Sequence, residues 1–510
     1  MTAWDETFDV VIAGYGFAGA IAAITAHDAG ARVLLVEKMS RPGGISVCSG
    51  GGIRMAEDAD AAFAYLSATC AGTTPEGPLR ALARGMTEVE AQVRDLARIN
   101  DANVLVTKAP GNYPFDGHDR LGYVSVSDIP GFNPNRDIAG ASGLRGGARL
   151  FKMVSDNVAA RAIEVRLGTP AGRVIRDGDQ ITGFAIGAEE RSIRATGGVI
   201  LACGGFEADD EMKMQYFQGK PVLAAVHAGN TGDGIRMAQA AGADLWHMWH
   251  YHGTYGFRHV DPAYPYGIRT PLLPLWTPGL EEEDKDYMKV LAGQRQTIMP
   301  WIVVDQDGRR YMNEYPPYVQ DTGHRPMEFY EPETQRYPRI PSWLIVDDAG
   351  RQLGPMGQAI YNDPAVDFAW SDDNLAEVDL GILGRTDSVD GLAAAIDVDP
   401  TVLATTINRW NVAVDAGDDT DFGRRAEGMA PIRTPPFFHA QIWPIVANTQ
   451  GGPVHDARQR ILDPFGKAIP GLYAAGELGS VFGHLYLAGS NLTECFVGGR
   501  TAGLEAASEK

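Results

Sequence analysis

The chain has 510 residues, 45% hydrophobic and 21% charged, with 61 glycines and 31 prolines. That length implies two to four domains with ample core, and the glycine excess points to tight turns and backbone lying close to a ligand. With 44 basic against 65 acidic residues and a net charge of −21, the balance excludes a general nucleic-acid footprint and disfavours docking on anionic lipid.

The chain opens with Met-Thr-Ala-Trp-Asp-Glu, which is acidic and does not read as a secretory n-region. No uncharged apolar stretch of about 18 residues follows, so no membrane-spanning helix is expected. Phe8–Ala13 reads as a short buried strand, and Gly14-Tyr15-Gly16-Phe17-Ala18-Gly19 as the turn after it. Ala20–Ala29 is expected to be helical, with Gly30 stopping the helix, and Ala31–Val36 is a second buried strand closed by Glu37. This is a βαβ unit with parallel strands.

Gly14, Gly16 and Gly19 form a GxGxxG turn between strand and helix. The first glycine permits the turn, the second admits a pyrophosphate to the backbone, and the third allows close helix–strand packing. Phosphates then face the N–H groups of a helix N-terminus. Glu37, 23 residues after Gly14, suits a ribose hydroxyl pair and disfavours a 2′-phosphate. Both NAD and FAD fit this much. A second glycine-rich loop, Gly43-Gly44-Ile45-Ser46-Val47-Cys48-Ser49-Gly50-Gly51, follows directly. It would continue along an extended cofactor, which favours FAD.

The four cysteines, Cys48, Cys70, Cys203 and Cys495, form no CxxC pair. Neither structural zinc nor a disulfide frame is expected, and a reducing, cytoplasmic setting fits. Further apolar strands ending in glycines lie at Gly198–Ala202 and at Gly471–Glu477. One sheet built from such distant pieces implies an inserted domain. Residues 245–437, richer in Trp, Tyr, Pro and His and with a helical stretch at Val402–Val412, read as that insertion, between FAD-domain segments 1–244 and 438–510. The acidic cluster Glu281–Asp286 reads as a solvated loop or helix start.

The cluster Trp246-His247-Met248-Trp249-His250-Tyr251-His252 has no acid or cysteine at metal-ligand spacing, so no metal is expected. With Tyr255, Phe257, Tyr264 and Tyr266 it can build an apolar cavity for a ring. Trp301 and Trp343 read as core. No G-x-S-x-G elbow supports hydrolysis.

Glu37 with the loop Gly43, Gly44, Ser46, Ser49, Gly50 and Gly51 resembles the fumarate reductase and 3-ketosteroid dehydrogenase flavoprotein family. Ala195–Phe206, Gly229–Ile235, Gly308–Glu314, Thr449–Gly452 and Ile469–Glu477 match in the same order. The resemblance implies an α/β fold: a Rossmann-like, glutathione-reductase-like FAD-binding domain with an inserted α+β substrate-binding cap. It implies noncovalent FAD. The pyrophosphate end falls to Gly14, Gly16, Phe17, Ala18 and Gly19, and the ribose to Glu37 and Lys38. The ribityl or pyrophosphate region falls to Ala202, Gly204, Gly476 and Glu477. Asn230 and Asp233 would stand near the flavin and the domain junction. Ser490, Asn491 and Leu492 would open a helix aimed at the flavin's N1/O2 edge, where reduced flavin carries negative charge.

In the fumarate reductase branch two arginines handle the proton and clamp the acid. The matching positions here are Tyr318 and Leu487, so fumarate is a poor fit. The tyrosines resemble the ketosteroid 4-dehydrogenase branch, although Ala488 stands where that branch has serine. The implied reaction is α,β-desaturation of a ring ketone, steroid-like or smaller. Tyr318 would be the base, Tyr486 and the Gly489 N–H the donors to the ketone, with the reverse assignment of the two tyrosines left open. His484 would support a phenolate, while His250, His252 and Tyr255 would line the substrate cavity. Two alternatives stay open: a reductase of an α,β-unsaturated acid, and a flavin-bearing electron carrier. The partners expected are a small cyclic ketone and an external electron acceptor of unknown identity.

Overall fold

The computed structural model describes residues 3–138, 140–273, 276 and 298–509; the acidic cluster at 281–286 lies outside them. Strand Glu6–Ala13 is wholly apolar at its C-terminal end and buried there on both faces, as the middle of a parallel sheet requires. It pairs in parallel with Val33–Val36 on one side and with Arg191–Leu201 on the other, Val11 standing between Leu34 and Val199. The parallel order continues outward to Glu164–Arg166 and to Ala468–Ala474. A β-meander, Ala171–Asp177 and Gln180–Ile186, and the strand Arg460–Leu462 complete eight strands. Segments from both ends of the chain therefore share one sheet.

The first helix, Phe17–Asp28, starts three residues earlier than the pattern predicts. Gly19 lies inside the helix because its missing Cβ would stand 1.8 Å from the Gly14 carbonyl oxygen. Only glycine allows that approach. The C-terminal helix, Ser490–Ser508, packs along Phe17–Asp28 through Gly499 and Gly503, whose Cβ positions would meet the Ala18 and Ala22 carbonyls at 2.7 and 2.5 Å.

A second sheet of seven strands carries the order Gly267–Arg269, Tyr251–Arg258, Phe437–Thr449, Ser342–Asp347, Ile302–Val304, with Leu223–Ala224 and Gly384–Thr386 pairing on Phe437–Thr449. Strand Phe437–Thr449 is thus central to the inserted sheet, and the return to the first sheet comes after Thr449, not at residue 438. Leu223–Ala224 enters that sheet before residue 245. Trp301 sits in the core of this unit while Trp343 packs at its edge. The helix Pro400–Ala416 covers it, started by Asp399, whose carboxylate accepts from the N–H groups of Thr401 and Val402. A small antiparallel sheet, Ile53–Ala56, Leu121–Asp128 and Asn103–Lys108, stands beside the cavity described next. Among the described residues no helix is long and apolar enough to cross a membrane.

Candidate active site

One cavity of about 790 Å³ runs from Glu37, at the end of strand Val33–Val36, to Tyr318 and His252 in the second unit. Its size falls in the upper part of the range for small-molecule sites. At the Glu37 end its wall is the glycine turn: Gly14, Gly16, Phe17 and Ala18 line it. Gly14 has φ +104° and its Cβ would lie 2.2 Å from the Ala202 oxygen, so no other residue fits. Glu37 is held by two backbone donors, Tyr15 N–H at 2.9 Å and Met39 N–H at 2.8 Å. Lys38 donates to Thr231 Oγ1 and pairs with Asp233 at 2.7 Å. Asp233 therefore stands beside the neighbour of Glu37, at the ribose end.

The second loop lies along the middle. Gly44, Ser46, Ser49, Gly50 and Gly51 line the cavity, and Gly44 has open space where a Cβ would be. Across from them stand Ala202, Gly204, Asn230 and Glu477. Glu477 accepts from the Thr449 N–H at 2.9 Å, and Asn230 Nδ2 donates to Glu207 at 2.7 Å and reaches Glu477 at 3.4 Å. Burial pushes Glu477 up to about 7 and Glu207 well above its usual range. Burial thus disfavours the charged form of both carboxyls, which lessens their repulsion of an anionic pyrophosphate nearby. Gly19, Gly43, Gly476 and Ser490 do not line the cavity; Gly43 and Gly476 turn the chain behind it at positive φ, Gly19 packs in the first helix against Gly14, and Ser490 Oγ is buried without a partner. A continuous glycine-lined trough with an acid fixed at one end fits FAD.

At the far end the cavity is aromatic. Tyr318 opens the short helix Val319–Thr322 of the second unit, whereas Tyr486 comes from the loop before the C-terminal helix. Their rings stack 6.5 Å apart, and the His252 ring lies 4.5 Å from Tyr486. Both phenols are nearly buried, at 4% and 5% exposure. Tyr318 Oη and His252 Nε2 are 3.0 Å apart.

The direction of that bond is fixed from a distance. Glu494 Oε2 accepts from Asn491 Nδ2 at 2.8 Å, which turns Asn491 Oδ1 toward Asn448 Nδ2 at 2.9 Å. Asn448 Oδ1 then faces His252 Nδ1 at 3.1 Å and accepts its proton. His252 Nε2 is left as an acceptor, so the Tyr318 hydroxyl donates to it. Burial holds His252 down at about 4, against the opposing pull of Asp321 and Asn448. Burial raises Tyr318 well above 10 and Tyr486 likewise. Burial also pushes Glu494 up to about 8, although the Val481 N–H, Ser480 and Asn491 donate to it.

Tyr486 is positioned from both sides. The Asn491 N–H donates to its hydroxyl at 3.1 Å, so its own proton points elsewhere. Its backbone N–H donates to Asp321 Oδ2 at 3.0 Å, an oxygen that also accepts from Tyr113. Burial pushes Asp321 up, but the hydrogen bond and charge of His250 and the charge of Arg325 outweigh it and hold the carboxylate at about 2. The next turn is fixed by Arg54, fully buried, which donates to the Ala488 and Ala109 carbonyls and to the Tyr123 hydroxyl. Gly489 has φ +83°, and a Cβ there would meet Tyr123 at 2.7 Å.

Three expectations at this end change. His250 does not line the cavity; its Nδ1–H donates to the Phe482 carbonyl at 2.6 Å and its other nitrogen faces Asp321. Tyr255 is wholly buried, bonded to Trp301 and the Glu314 carbonyl, and belongs to the core. His484 also does not line the cavity, and its carbonyl accepts from Arg325. The imidazole that reaches a tyrosine is His252 instead, because strand Tyr251–Arg258 alternates its faces and turns His252 inward at a register shift beside Asn448. Asn491 and Leu492 do line the cavity. Sequence reading missed Arg54, Tyr123, Gln320, Asp321 and Asn448; only Asn448 carried a signal, by preceding the Thr449–Gly452 match. It also missed Arg269, which lines the cavity with no carboxylate partner among the described residues. Among the described residues no group of three or more His, Cys, Asp or Glu side chains is placed to hold a metal.

A family model described as FAD binding domain matches residues 9–492. The 3-oxosteroid 1-dehydrogenase of Mycobacterium tuberculosis (strain ATCC 25618 / H37Rv) is 26% identical, over 94% of each chain. Fumarate reductase (cytochrome) of Shewanella frigidimarina is 26% identical over 98% of this chain and 77% of that protein. The crystal structure of 3-ketosteroid delta1-dehydrogenase from Sterolibacterium denitrificans in complex with 1,4-androstadiene-3,17-dione superposes with a TM-score of 0.80 at 23% identity, covering 99% of this chain and 100% of that one. That likeness establishes the shared fold.

Proposed function

We propose that this chain, which belongs to the FAD binding domain family and is an FAD-dependent oxidoreductase, desaturates the α,β carbon–carbon bond of a ring ketone, steroid-like or smaller. The observation that carries the reading is the Tyr318–His252 hydrogen bond at 3.0 Å, set beside Tyr486 at the aromatic end of the cavity. The names of two relatives, both ketosteroid dehydrogenases, support the substrate class.

Tyr318 takes the α proton as its own hydroxyl proton moves to His252 Nε2, so no free phenolate has to form in the buried pocket. Asn448 holds the imidazole in the accepting tautomer. Tyr486 donates to the ketone oxygen while the Asn491 N–H supports its hydroxyl, and the Gly489 N–H is the second donor, as in an oxyanion hole. Bound FAD supplies the acceptor for the β hydride. The aromatic walls exclude water from the carbon that loses its proton.

Mixing the yellow protein anaerobically with saturated ring ketones tests the reading. Flavin bleaching with enone formation is expected, and Tyr318→Phe and Tyr486→Phe should each slow it by at least about 100-fold. Bleaching that is unchanged in both variants would refute it. A second reading, reduction of an α,β-unsaturated acid, is favoured by the Arg269 guanidinium in the same cavity; reoxidation of the pre-reduced protein by unsaturated acids, without bleaching by ketones, would select it.

A further inference from the structure

Among the described residues, the buried arginines are compensated with one exception. Arg424 pairs with Glu314 and Arg351 with Asp348. Arg54 has no carboxylate but donates to main-chain carbonyls and to Tyr123. Arg269 is 8% exposed, and among the described residues its side chain makes one hydrogen bond, a long one of 3.3 Å from Nε to the Thr270 carbonyl. Its Nη2 is buried without any partner. Burial lowers its pKa to about 10, and the Tyr318 phenol is the one ionisable group whose charge opposes that. The guanidinium therefore remains charged at neutral pH with no counter-ion among the described residues.

Arg269 ends strand Gly267–Arg269 at the edge of the inserted sheet and lines the cavity together with Leu272, Leu273, Tyr318 and Gln320. Gln320 comes from the helix that Tyr318 opens, and its Oε1 is also buried without a partner. Arg269 Nη2 and Gln320 Oε1 are thus left unsatisfied at the substrate end of the pocket, beside Leu272, Leu273 and the aromatic rings, whereas His252, Asn448 and Asn491 there are hydrogen-bonded to one another. The adenosine end has its own charges in Glu37, Lys38 and Asp233, so this cation is not needed there. A buried, unpaired cation is expensive; a ketone oxygen would give it a hydrogen bond, but only an anion neutralises it.

Resting on the ketone reading above, we propose that Arg269 anchors a carboxylate carried by the substrate at a distance from the reacting ketone, with Gln320 as an accessory polar contact, so that the preferred substrate is a ring ketone acid and not a neutral ketone. The carboxylate takes no part in bond making; it fixes which end of the ring system faces Tyr318 and Tyr486. Arg269 is a specificity-determining residue in this scheme, whereas the two tyrosines handle the proton and the ketone.

The test compares ring ketone acids of one to four rings, each against its own methyl ester, by flavin bleaching under anaerobic conditions. The wild-type protein should favour the acid by at least about 30-fold in kcat/KM in the best-fitting ring size, mainly through KM, since losing one partner of a buried charge pair is worth that much or more. Arg269→Gln should bring the acid-to-ester ratio to about 1, and Arg269→Lys should restore part of it. A wild-type ratio of 1 or below, or a ratio kept by Arg269→Gln, would overturn the proposal. Calorimetric titration of the wild-type holoprotein with the carboxylates and with their carboxamides gives a readout free of turnover and of variant folding. Acid binding at least about 30-fold tighter than amide binding is expected, and equal binding overturns the proposal. If no ketone of either kind bleaches the flavin, the ketone reading fails while the carboxylate titration still judges Arg269.

Discussion

Replacing His252 separates proton acceptance from simple packing. At pH 7 a phenol at its ordinary value of 10 is ionised in about one molecule per thousand, and burial pushes Tyr318 higher still. Without an acceptor at 3.0 Å, that fraction is the sole source of base. His252→Gln retains an amide oxygen able to accept a hydrogen bond but not a proton, and His252→Ala removes both. Both variants should lose at least about 10³ in kcat at pH 7, about 4 kcal/mol of transition-state stabilisation. The pH profile should change shape as well. Burial keeps His252 down at about 4, so in the wild type it is neutral and ready to accept above that pH, and the rate shows no titration of this group from about pH 5 to 9. In the variants the rate should climb about tenfold per pH unit, following the phenolate. Anaerobic stopped-flow bleaching of the flavin by a saturated ring ketone, from pH 5 to 9, measures both effects. A Gln variant within tenfold of the wild type at pH 7, or one with a flat profile, would refute the relay from Tyr318 to His252.

Gly14→Ala should abolish FAD retention, because a Cβ at φ +104° would stand 2.2 Å from the Ala202 oxygen; the flavin-to-protein absorbance ratio after purification checks it. Asp321→Asn removes the charge that faces His250 and Arg325 and weakens the acceptor for the Tyr486 N–H. It should cost about 3–5 kcal/mol in urea unfolding and lower kcat more than it raises KM. Stability should also fall on the acid side. His252 has a folded value of about 4 against 6.5 unfolded, so the unfolded chain binds the extra proton between those values. Its contribution is complete above pH 6.5 and declines by about 3 kcal/mol as pH falls to 4. Burial lowers His227, His247, His439 and His455 as well, which adds in the same direction. Denaturant melts at pH 7, 5.5 and 4.5 check the slope, and His252→Gln should make it shallower.

Much of the cofactor half was legible because its constraints are local. Gly19 is dictated by its approach to the Gly14 carbonyl five residues before it, and Gly14 by its own positive φ, and such demands leave a mark in the sequence, although Gly14 also passes the distant Ala202 oxygen. The buried parallel strands were legible for a similar reason, since a strand covered on both faces has to be apolar throughout. The stretch Val402–Val412 was legible as helix, although the helix runs Pro400–Ala416 and its start depends on Asp399 capping it.

The proton-handling end was decided by tertiary structure. Tyr318 and His252 stand 66 residues apart in the chain, and Arg54 reaches Ala488 across 434. No spacing rule joins them. His250 and His252 share one face by alternation, yet a register shift between His252 and Gly253 beside the Phe437–Thr449 strand and the packing of Phe482 and Asp321 send one into the wall and the other into the cavity. The tautomer of His252 depends on Glu494 through two asparagines, and Arg269 stands uncompensated because none of the described carboxylates folds against it. A sequence specifies which side chains are available and how each short segment bends; which of them become neighbours, and which lose their counter-ions, is settled by the meeting of strands and helices that are distant along the chain.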